Sequence, residues 1–246
     1  MSASPVALVT GGAVRVGRAI VEHLVASGYR VWVHHHASVD AARTLGGRVP
    51  SVLGTPRADL SDARARAELL GTVLDPDGPA AGRLDLLVNC AASFERGSFL
   101  ERNDEDLLRV LSLLLVAPLS LARSAYPALA AHQGCIINIG DLLARHPSPG
   151  HLDHGVAKAA LEAATRALAL ELAPVRVCGV VPGTVLWPAD TTPAAQAEIV
   201  SGTALGRIAR PQDVAEAVLF LAQNASMTGE NIVIDAGQGV GTGRRP

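Results

Sequence analysis

The sequence has no feature that suits nucleic acid or an anionic membrane surface. Its 21 Lys and Arg residues are balanced by 23 Asp and Glu residues, the formal net charge is -2, and no stretch is densely basic. A chain without a basic patch lacks the electrostatic footprint that attracts polyanions. We therefore expect a small-molecule partner and no binding to nucleic acid.

The sequence also lacks a segment that predicts export or membrane insertion. No basic region followed by an apolar one precedes the strand-like run that begins at Val6. The most apolar stretch, residues 107–122, contains Arg109 and Pro118 and is shorter than a membrane span requires. This stretch is typical of a buried or interfacial helix. We expect a cytoplasmic protein that does not associate with a membrane.

Cysteine is scarce as well. Cys90, Cys135 and Cys178 are odd in number, far apart and set among apolar residues. Disulfide frameworks and zinc sites use closely spaced or evenly paired cysteines. The pattern favours buried thiols in a reducing compartment and predicts no metal site.

Apolar residues, by contrast, are abundant, and their pattern predicts the fold. They make up 49% of the 246 residues, enough for one large core. Short β-rich runs alternate with longer helical patterns, which predicts βαβ units with right-handed crossovers. We predict one α/β domain over residues 1–246, a Rossmann-type doubly wound parallel sheet flanked by helices, with a substrate flap around residues 186–204. The predicted strands are 6–9, 30–33, 84–88, 135–139, 175–181 and 231–234, and the predicted helices are 18–27, 63–73, 104–129, 155–172 and 211–223.

A glycine-rich turn lies between the first predicted strand and the first helix. It reads Thr10-Gly11-Gly12-Ala13-Val14-Arg15-Val16-Gly17. Glycines let the backbone approach a pyrophosphate, and the following helix N-terminus offers unpaired N–H groups and a positive dipole. At this junction the turn favours a dinucleotide site over a purely structural turn. The predicted cofactor contacts here are Gly11, Arg15, Val16 and Gly17.

The second predicted strand ends in a run of histidines. The sequence there is His34-His35-His36-Ala37-Ser38, where an NAD-selective site commonly places a carboxylate. The absence of this carboxylate favours NADP(H) over NAD(H). We expect His34, His36 and Ser38 to bind the 2′-phosphate, with Arg15 adding a permanent charge. The alternative is a set of surface histidines at a strand end.

These motifs resemble the classical short-chain dehydrogenase/reductase family. The turn of that family reads Thr-Gly-x-x-x-Gly-x-Gly, and Arg15 replaces its middle glycine. This replacement, the histidine run and the segment Asn89-Cys90-Ala91-Ala92-Ser93-Phe94 resemble the pteridine-reductase branch, over essentially the whole chain. The resemblance implies a homodimer or homotetramer. It also implies that the following residues bind NADPH: Asp59, Leu60, Asn89, Ala91, Pro182, Gly183 and Thr184.

The resemblance also locates a catalytic constellation. The Asn-Ser-Tyr-Lys tetrad of the family corresponds here to Leu114, Asp141, His154 and Lys158, so that only the lysine is kept. His154 and Lys158 are one helical turn apart and can face one cleft. The resemblance implies that Lys158 holds the nicotinamide ribose and that Asp141 accepts a hydrogen bond or stabilises a cation. His154 is a candidate proton donor, although a neighbouring lysine cation disfavours its protonated form.

The loss of the tyrosine favours a reaction that needs no proton at carbon. Hydride addition to a ketone creates an alkoxide that needs an acid, whereas addition to an iminium neutralises a cation. We predict NADPH-dependent reduction of a C=N bond in a nitrogen heterocycle. A cyclic hemiaminal that loses water would supply the iminium, and reduction would inactivate an alkaloid antibiotic that carries one. The predicted substrate contacts are Ser93, Phe94, His151 and Trp187.

Two other functions fit the same residues. One is reduction of a pterin or dihydropterin, which the branch resemblance supports. The other is a catalytically silent NADP(H)-binding regulatory protein. Ordinary packing is the alternative for Phe94 and Trp187, and a solvated loop is the alternative for His151.

Overall fold

A seven-stranded parallel sheet forms the centre of the computed structural model, which describes residues 4–187 and 191–240. Its order is β3-β2-β1-β4-β5-β6-β7. The strands are β1 (Val6–Val9), β2 (Arg30–Val33), β3 (Val52–Gly54), β4 (Leu86–Asn89), β5 (Cys135–Ile139), β6 (Arg176–Pro182) and β7 (Asn231–Ile234).

Helices connect these strands and cover both faces of the sheet. They are α1 (Arg15–Ala26), α2 (Val39–Arg48), α3 (Ala63–Val73), α4 (Asp104–Leu111), α5 (Ala117–Ala131), α6 (Leu152–Glu171), α7 (Pro193–Ser201) and α8 (Pro211–Gln223). A π-helical turn, Ser112–Val116, joins α4 to α5, and short 3-10 turns occupy Phe99–Glu101 and Leu142–Ala144.

The two faces of the sheet pack against different helices. In β1, Ala7 and Val9 belong to a core cluster that includes α1 and α8, whereas Val6 and Leu8 belong to a cluster that includes α3 and α5. All four side chains are fully buried. Burial on both faces explains why the central strands are continuous apolar runs and do not alternate with polar residues.

The sheet order creates a cleft at one edge. From β1 the chain runs outward through β2 and β3 and then returns to place β4 on the other side of β1. The connections after β1 and β4 therefore diverge at the carboxyl ends of these strands, which is where open α/β sheets bind ligands.

The predicted fold class is confirmed, and the differences are local. The strand β3 and the helix α2 were not predicted, and the helix predicted over 104–129 is divided by the π-helical turn. The predicted flap, 186–204, contains helix α7, and its residues 188–190 lie outside the described residues. All three cysteines are free, Cys135 and Cys178 are buried, and Cys90 is partly buried.

One helical run has the length and composition of a membrane span. Asp104–Ala131 has a mean hydropathy of 1.6. The core helix of a globular domain can be equally long and equally apolar. In this run α5 buries Leu121, Ala125 and Leu129 in the core cluster shared with α3. These contacts attach α5 to the domain core, while 33% of the most apolar window of the run is buried.

Candidate active site

The glycine-rich turn is compact because two of its glycines have no room for a side chain. A Cβ on Gly17 would lie 2.1 Å from the Gly11 carbonyl oxygen, and Gly11 itself has a φ of +62°. Thr10 ties the turn to β4, since its hydroxyl oxygen accepts from the N–H groups of Cys90 at 2.9 Å and Ala91 at 3.0 Å. Arg15 is exposed and has a φ of +53° at the position where the family has glycine.

His34 lies beneath this turn, so the phosphate contact predicted for it does not fit the structure. Its side chain is buried, Nδ1 accepts from the Gly11 N–H at 3.2 Å, and Nε2 lies 3.0 Å from the Ala58 carbonyl oxygen. Burial is the main cause that lowers the pKa of His34 to about 4. His34 is therefore a neutral support for the turn with no free nitrogen for a phosphate.

The surface beside β2 still offers groups for a 2′-phosphate. His36 is exposed, and Ser38 directly precedes α2 with a hydroxyl that does not cap this helix. Arg57, which the sequence analysis missed, donates from Nε to the His36 carbonyl oxygen at 3.0 Å. Its position three residues after the end of β3 was the available signal, but β3 itself was not predicted.

Asp59 and Leu60 follow Arg57 on the same side of the sheet. Asp59 is exposed, and its Oδ1 accepts from the backbone N–H and the hydroxyl of Ser61, which lowers the pKa of Asp59. Leu60 is buried, and its carbonyl oxygen accepts from Arg66. Asp59 keeps its second oxygen for the predicted adenine contact.

The residues at the start of α1 and at the end of β4 are suited to binding a dinucleotide. Val14 directly precedes α1, and its side chain does not cap the helix. The N-terminus of α1 therefore keeps free N–H groups and its dipole for an anion. Asn89 donates to the Asn138 amide oxygen at 2.9 Å, while its own buried Oδ1 has no hydrogen-bond partner among the described residues. A buried polar atom of this kind needs a partner, which a bound cofactor would bring. Val16 and Ala91 are half-buried on this side.

The segment predicted to fix the nicotinamide is held by residues that the sequence analysis missed. The Thr184 N–H donates to the Gln238 side-chain oxygen at 2.9 Å, and a Cβ on Gly183 would lie 2.7 Å from Asp235. The Asp235 carboxylate accepts from the N–H groups of Gly237 and Gly239. Residues 235–239, which we call the clasp, therefore close over the end of β6 after Pro182.

Asp141 and His154 form a direct pair at the carboxyl end of β5. His154 Nε2 lies 3.1 Å from Asp141 Oδ2, and His154 Nδ1 lies 3.2 Å from the Ser93 carbonyl oxygen. The second oxygen of Asp141 accepts from the Leu143 N–H at 2.8 Å. The His154 side chain is 5% exposed and that of Asp141 is 28% exposed, so the carboxyl is the more open member of the pair.

Lys158 lies one turn further along α6 and is fully enclosed. Its Nζ donates to the Ile139 carbonyl oxygen at 2.6 Å. Burial lowers the pKa of Lys158, and the nearby Asp141 carboxylate opposes this effect. Leu114 is also buried, in a small apolar cluster with Val110 and Ala157, and offers no polar group to a proton relay.

No tyrosine reaches this cleft. The chain has two tyrosines, Tyr29 and Tyr126. Tyr29 directly precedes β2 at the opposite edge of the sheet, where burial and the neighbouring Asp85 raise its pKa. Tyr126 lies on α5, and its hydroxyl donates to the Ala173 carbonyl oxygen. A phenol is therefore not the proton donor at this site.

Aromatic rings line the open side of the Asp141–His154 pair. Phe94 stacks on His151 at a centroid distance of 4.7 Å and meets His154 edge-on at 5.0 Å, yet 56% of its surface stays exposed. Phe94 and His151 thus lie together beside the pair, and their role as a substrate wall stays a prediction. Trp187 is half-buried and directly precedes residues 188–190, which are not described.

An ion pair fastens the segment that carries Ser93 and Phe94 to α6. Arg102 Nη1 lies 3.1 Å from Asp153 Oδ2, and the two side chains are only 15% and 9% exposed. Glu95 of the same segment pairs with Arg109 of α4 at 2.6 Å. Among the described residues, no group of His, Cys, Asp and Glu side chains has the arrangement of a metal site.

Comparison with known proteins establishes the family. The family model described as enoyl-(acyl carrier protein) reductase matches residues 12–238. This chain belongs to the short-chain dehydrogenase/reductase family. It is thus an NAD(P)-dependent oxidoreductase of the short-chain type, as the resemblance implied.

Its similarity to short-chain dehydrogenase/reductase relatives spans whole chains. The chain is 31% identical to granaticin polyketide synthase putative ketoacyl reductase 2 of Streptomyces violaceoruber, over 95% of this chain and 96% of that protein. It is 34% identical to pteridine reductase 1 of Leishmania tarentolae, over 95% and 96%. The solved structure of FolM alternative dihydrofolate reductase 1 from Brucella canis complexed with NADP matches with a TM-score of 0.84 and 30% identity, over 98% and 96%.

Proposed function

We propose that this short-chain dehydrogenase/reductase uses NADPH to reduce the C=N bond of an iminium or imine in a nitrogen heterocycle. The observation that carries the proposal is the cleft itself, which presents the Asp141 carboxyl backed by His154 and has no tyrosine. A neutral ketone carries no positive charge that the Asp141 carboxylate could stabilise. A cationic iminium in the same position is stabilised by it.

NADPH is the proposed cofactor. When bound, its reduced nicotinamide supplies the hydride. Arg15, His36, Ser38 and Arg57 would bind its 2′-phosphate. The exposure of Arg15 and His36, the contact of Arg57 with the His36 carbonyl oxygen and the NADP in the similar Brucella structure support this assignment. Lys158 would hold the nicotinamide ribose, and the clasp would hold the loop that meets the nicotinamide amide.

The natural substrate class we propose is a cyclic hemiaminal that loses water to form the iminium. Phe94 and His151 provide flat surfaces for a fused ring system. Reduction removes the electrophilic carbon of such a molecule, so we propose that the enzyme inactivates hemiaminal-bearing alkaloid antibiotics. We also propose a cytoplasmic homodimer or homotetramer.

Reduction of a pterin or dihydropterin is a second candidate. The 34% identity to pteridine reductase 1 favours it, since a pterin also presents a C=N bond to hydride. The absence of a tyrosine in the cleft weighs against a pterin reaction that needs a phenol as acid.

The test is NADPH oxidation by the purified protein with four substrates offered separately. These are an N-methyl cyclic iminium, a cyclic hemiaminal, a dihydropterin and a cyclic ketone. We expect turnover of the first two and at least about 100-fold lower kcat/KM for the ketone. Preferred turnover of the dihydropterin or the ketone would contradict the proposal, and NADPH binding without any oxidation would indicate the silent regulatory protein.

A further inference from the structure

The contacts of His154 determine how many protons it shares with Asp141. Both of its ring nitrogens face oxygen atoms, the Ser93 carbonyl at 3.2 Å and Asp141 Oδ2 at 3.1 Å. A carbonyl oxygen and an ionised carboxylate only accept hydrogen bonds. A neutral imidazole has a single N–H and satisfies one of the two contacts. The other contact is satisfied only if one more proton lies on His154 or on Asp141.

Exposure determines which member of the pair touches a substrate. Both nitrogens of His154 are engaged and its side chain is 5% exposed, whereas the Asp141 side chain is 28% exposed. A proton stored on the pair can therefore reach the cleft only through the carboxyl. This geometry revises the donor role that the sequence suggested for His154.

We propose that Asp141 and His154 hold one shared proton, and that Asp141 delivers it to the departing hydroxyl of a hemiaminal and then becomes the counter-ion of the iminium. The inference rests on the proposed function. Asp141 acts as the catalytic acid that touches the substrate, and His154 is the positioning residue that orients this carboxyl and passes the shared proton to it.

The step balances without a further reactant. The C–O bond breaks, the departing hydroxyl takes the proton from Asp141 and leaves as water, and the nitrogen lone pair forms the C=N bond. The hydride then adds to carbon, and the electrons of the C=N bond return to nitrogen. The site takes one proton from solvent to start again. One carboxyl thus serves as acid before the iminium forms and as its stabilising charge afterwards.

The charged groups around the pair have separate partners. Lys158 donates to the Ile139 carbonyl oxygen, and the nearby Asp141 carboxylate raises the pKa of Lys158 against the lowering effect of burial. His151 stacks on Phe94, and burial together with the nearby Arg96 lowers the pKa of His151. A neutral His151 does not compete with His154 as the cationic partner of Asp141.

Proton release on binding of a permanent cation tests the shared proton. The probe is N-methyl-3,4-dihydroisoquinolinium, titrated by calorimetry into the NADP⁺ complex in two buffers of different ionisation enthalpy. We expect the wild type to release about one proton per cation bound, and Asp141→Asn and His154→Gln to release about none. His146→Gln, an exposed histidine outside the pair, is the matched control and should still release about one. Binding without proton release would overturn the inference, and failure to bind would overturn it together with the proposed function.

The kinetics of the same variants separate the inference from the proposed function. Asp141→Asn should slow hemiaminal reduction by about 100-fold and the permanent iminium by about 10-fold. His154→Gln should slow the hemiaminal by about 10-fold or more and the iminium by less than about 3-fold. Equal slowing of both substrates by His154→Gln, or an unchanged hemiaminal rate in Asp141→Asn, would overturn the acid role. A wild type that releases the proton but reduces neither substrate would overturn only the proposed function.

Discussion

Arg15 has a φ of +53°, a backbone conformation that side chains other than that of glycine rarely adopt. The family places glycine at this position, and the turn keeps the glycine conformation although arginine occupies it. The strain costs roughly 1–2 kcal/mol. In return, the turn carries an exposed guanidinium, which we propose as a charge that does not titrate for the 2′-phosphate.

Arg15→Gly should therefore stabilise the protein and weaken its cofactor selectivity. We expect the apo protein to gain about 1 kcal/mol, or about 2–4 °C in Tm, and NADPH to lose about tenfold in affinity with NADH unchanged. Thermal unfolding and binding titrations measure both effects. Gln133→Gly relieves a similar φ of +50° between α5 and β5 and is the control. Loss of stability in Arg15→Gly, or equal weakening of NADPH and NADH, would contradict this assignment.

The segment from Ser93 to Arg102 shows how a loop is fixed as one side of the site. Its carbonyl at Ser93 orients His154, and its far end is fastened to α6 by the Arg102–Asp153 pair. Removal of one partner from a buried ion pair leaves an uncompensated charge, whereas exposed pairs contribute little. The Arg109–Glu95 pair, with side chains 50% and 39% exposed, is of the second kind.

Arg102→Gln and Arg109→Gln should consequently differ. We expect Arg102→Gln to lose about 3 kcal/mol in urea unfolding and to raise the KM for the iminium several-fold, because Asp153 stays buried and the segment loosens. Arg109→Gln should lose less than about 1 kcal/mol with KM unchanged. If the two variants lose the same free energy of unfolding, the burial of the Arg102–Asp153 pair does not add to its contribution to stability. An unchanged KM in Arg102→Gln would show that the segment does not position the substrate wall.

The periodicity of apolar residues predicted the alternation of strands and helices. It did not predict β3 and α2, which have the weakest sequence patterns. The strand β3 has three residues at the sheet edge, too few for a pattern, and α2 contains Gly46 and Gly47, which lower its helix propensity. The family resemblance grouped Asp141 and His154 in one constellation, and in the structure these two side chains lie 3.1 Å apart. The sequence did not give the direction of the His34 ring or the contact of Gln238 with Thr184, because both depend on long-range packing that a local pattern does not encode.

The stability of the whole domain depends on the neutral form of His34. Its pKa is lowered from 6.5 to about 4 in the folded protein, mainly because it is buried. The unfolded chain binds a proton near pH 6.5, but the folded chain resists it until about pH 4, so this contribution is complete above pH 6.5 and is lost as the pH falls. The difference corresponds to about 3 kcal/mol.

The stability of the protein should therefore fall between about pH 6.5 and pH 4. We expect His34→Gln to be less stable at neutral pH but to show a flatter dependence over this range, because glutamine does not titrate. Urea unfolding at several pH values measures the slope, and His36→Gln at an exposed position is the control. A slope in His34→Gln as steep as in the wild type would assign the acid sensitivity to other groups.

Lys158 is the only lysine in the sequence, because all other basic residues apart from histidine are arginines. Its amine is enclosed beside Asp141 and has a lowered pKa, so that more of it is neutral and nucleophilic than in an exposed lysine. Acetylation of a lysine side chain can consequently occur at a single place in the chain. Because the amine is enclosed, we expect mild acetylation to spare it in the folded protein and to modify it once the chain unfolds, which mass spectrometry measures. One amine would thus report whether the domain is closed around it.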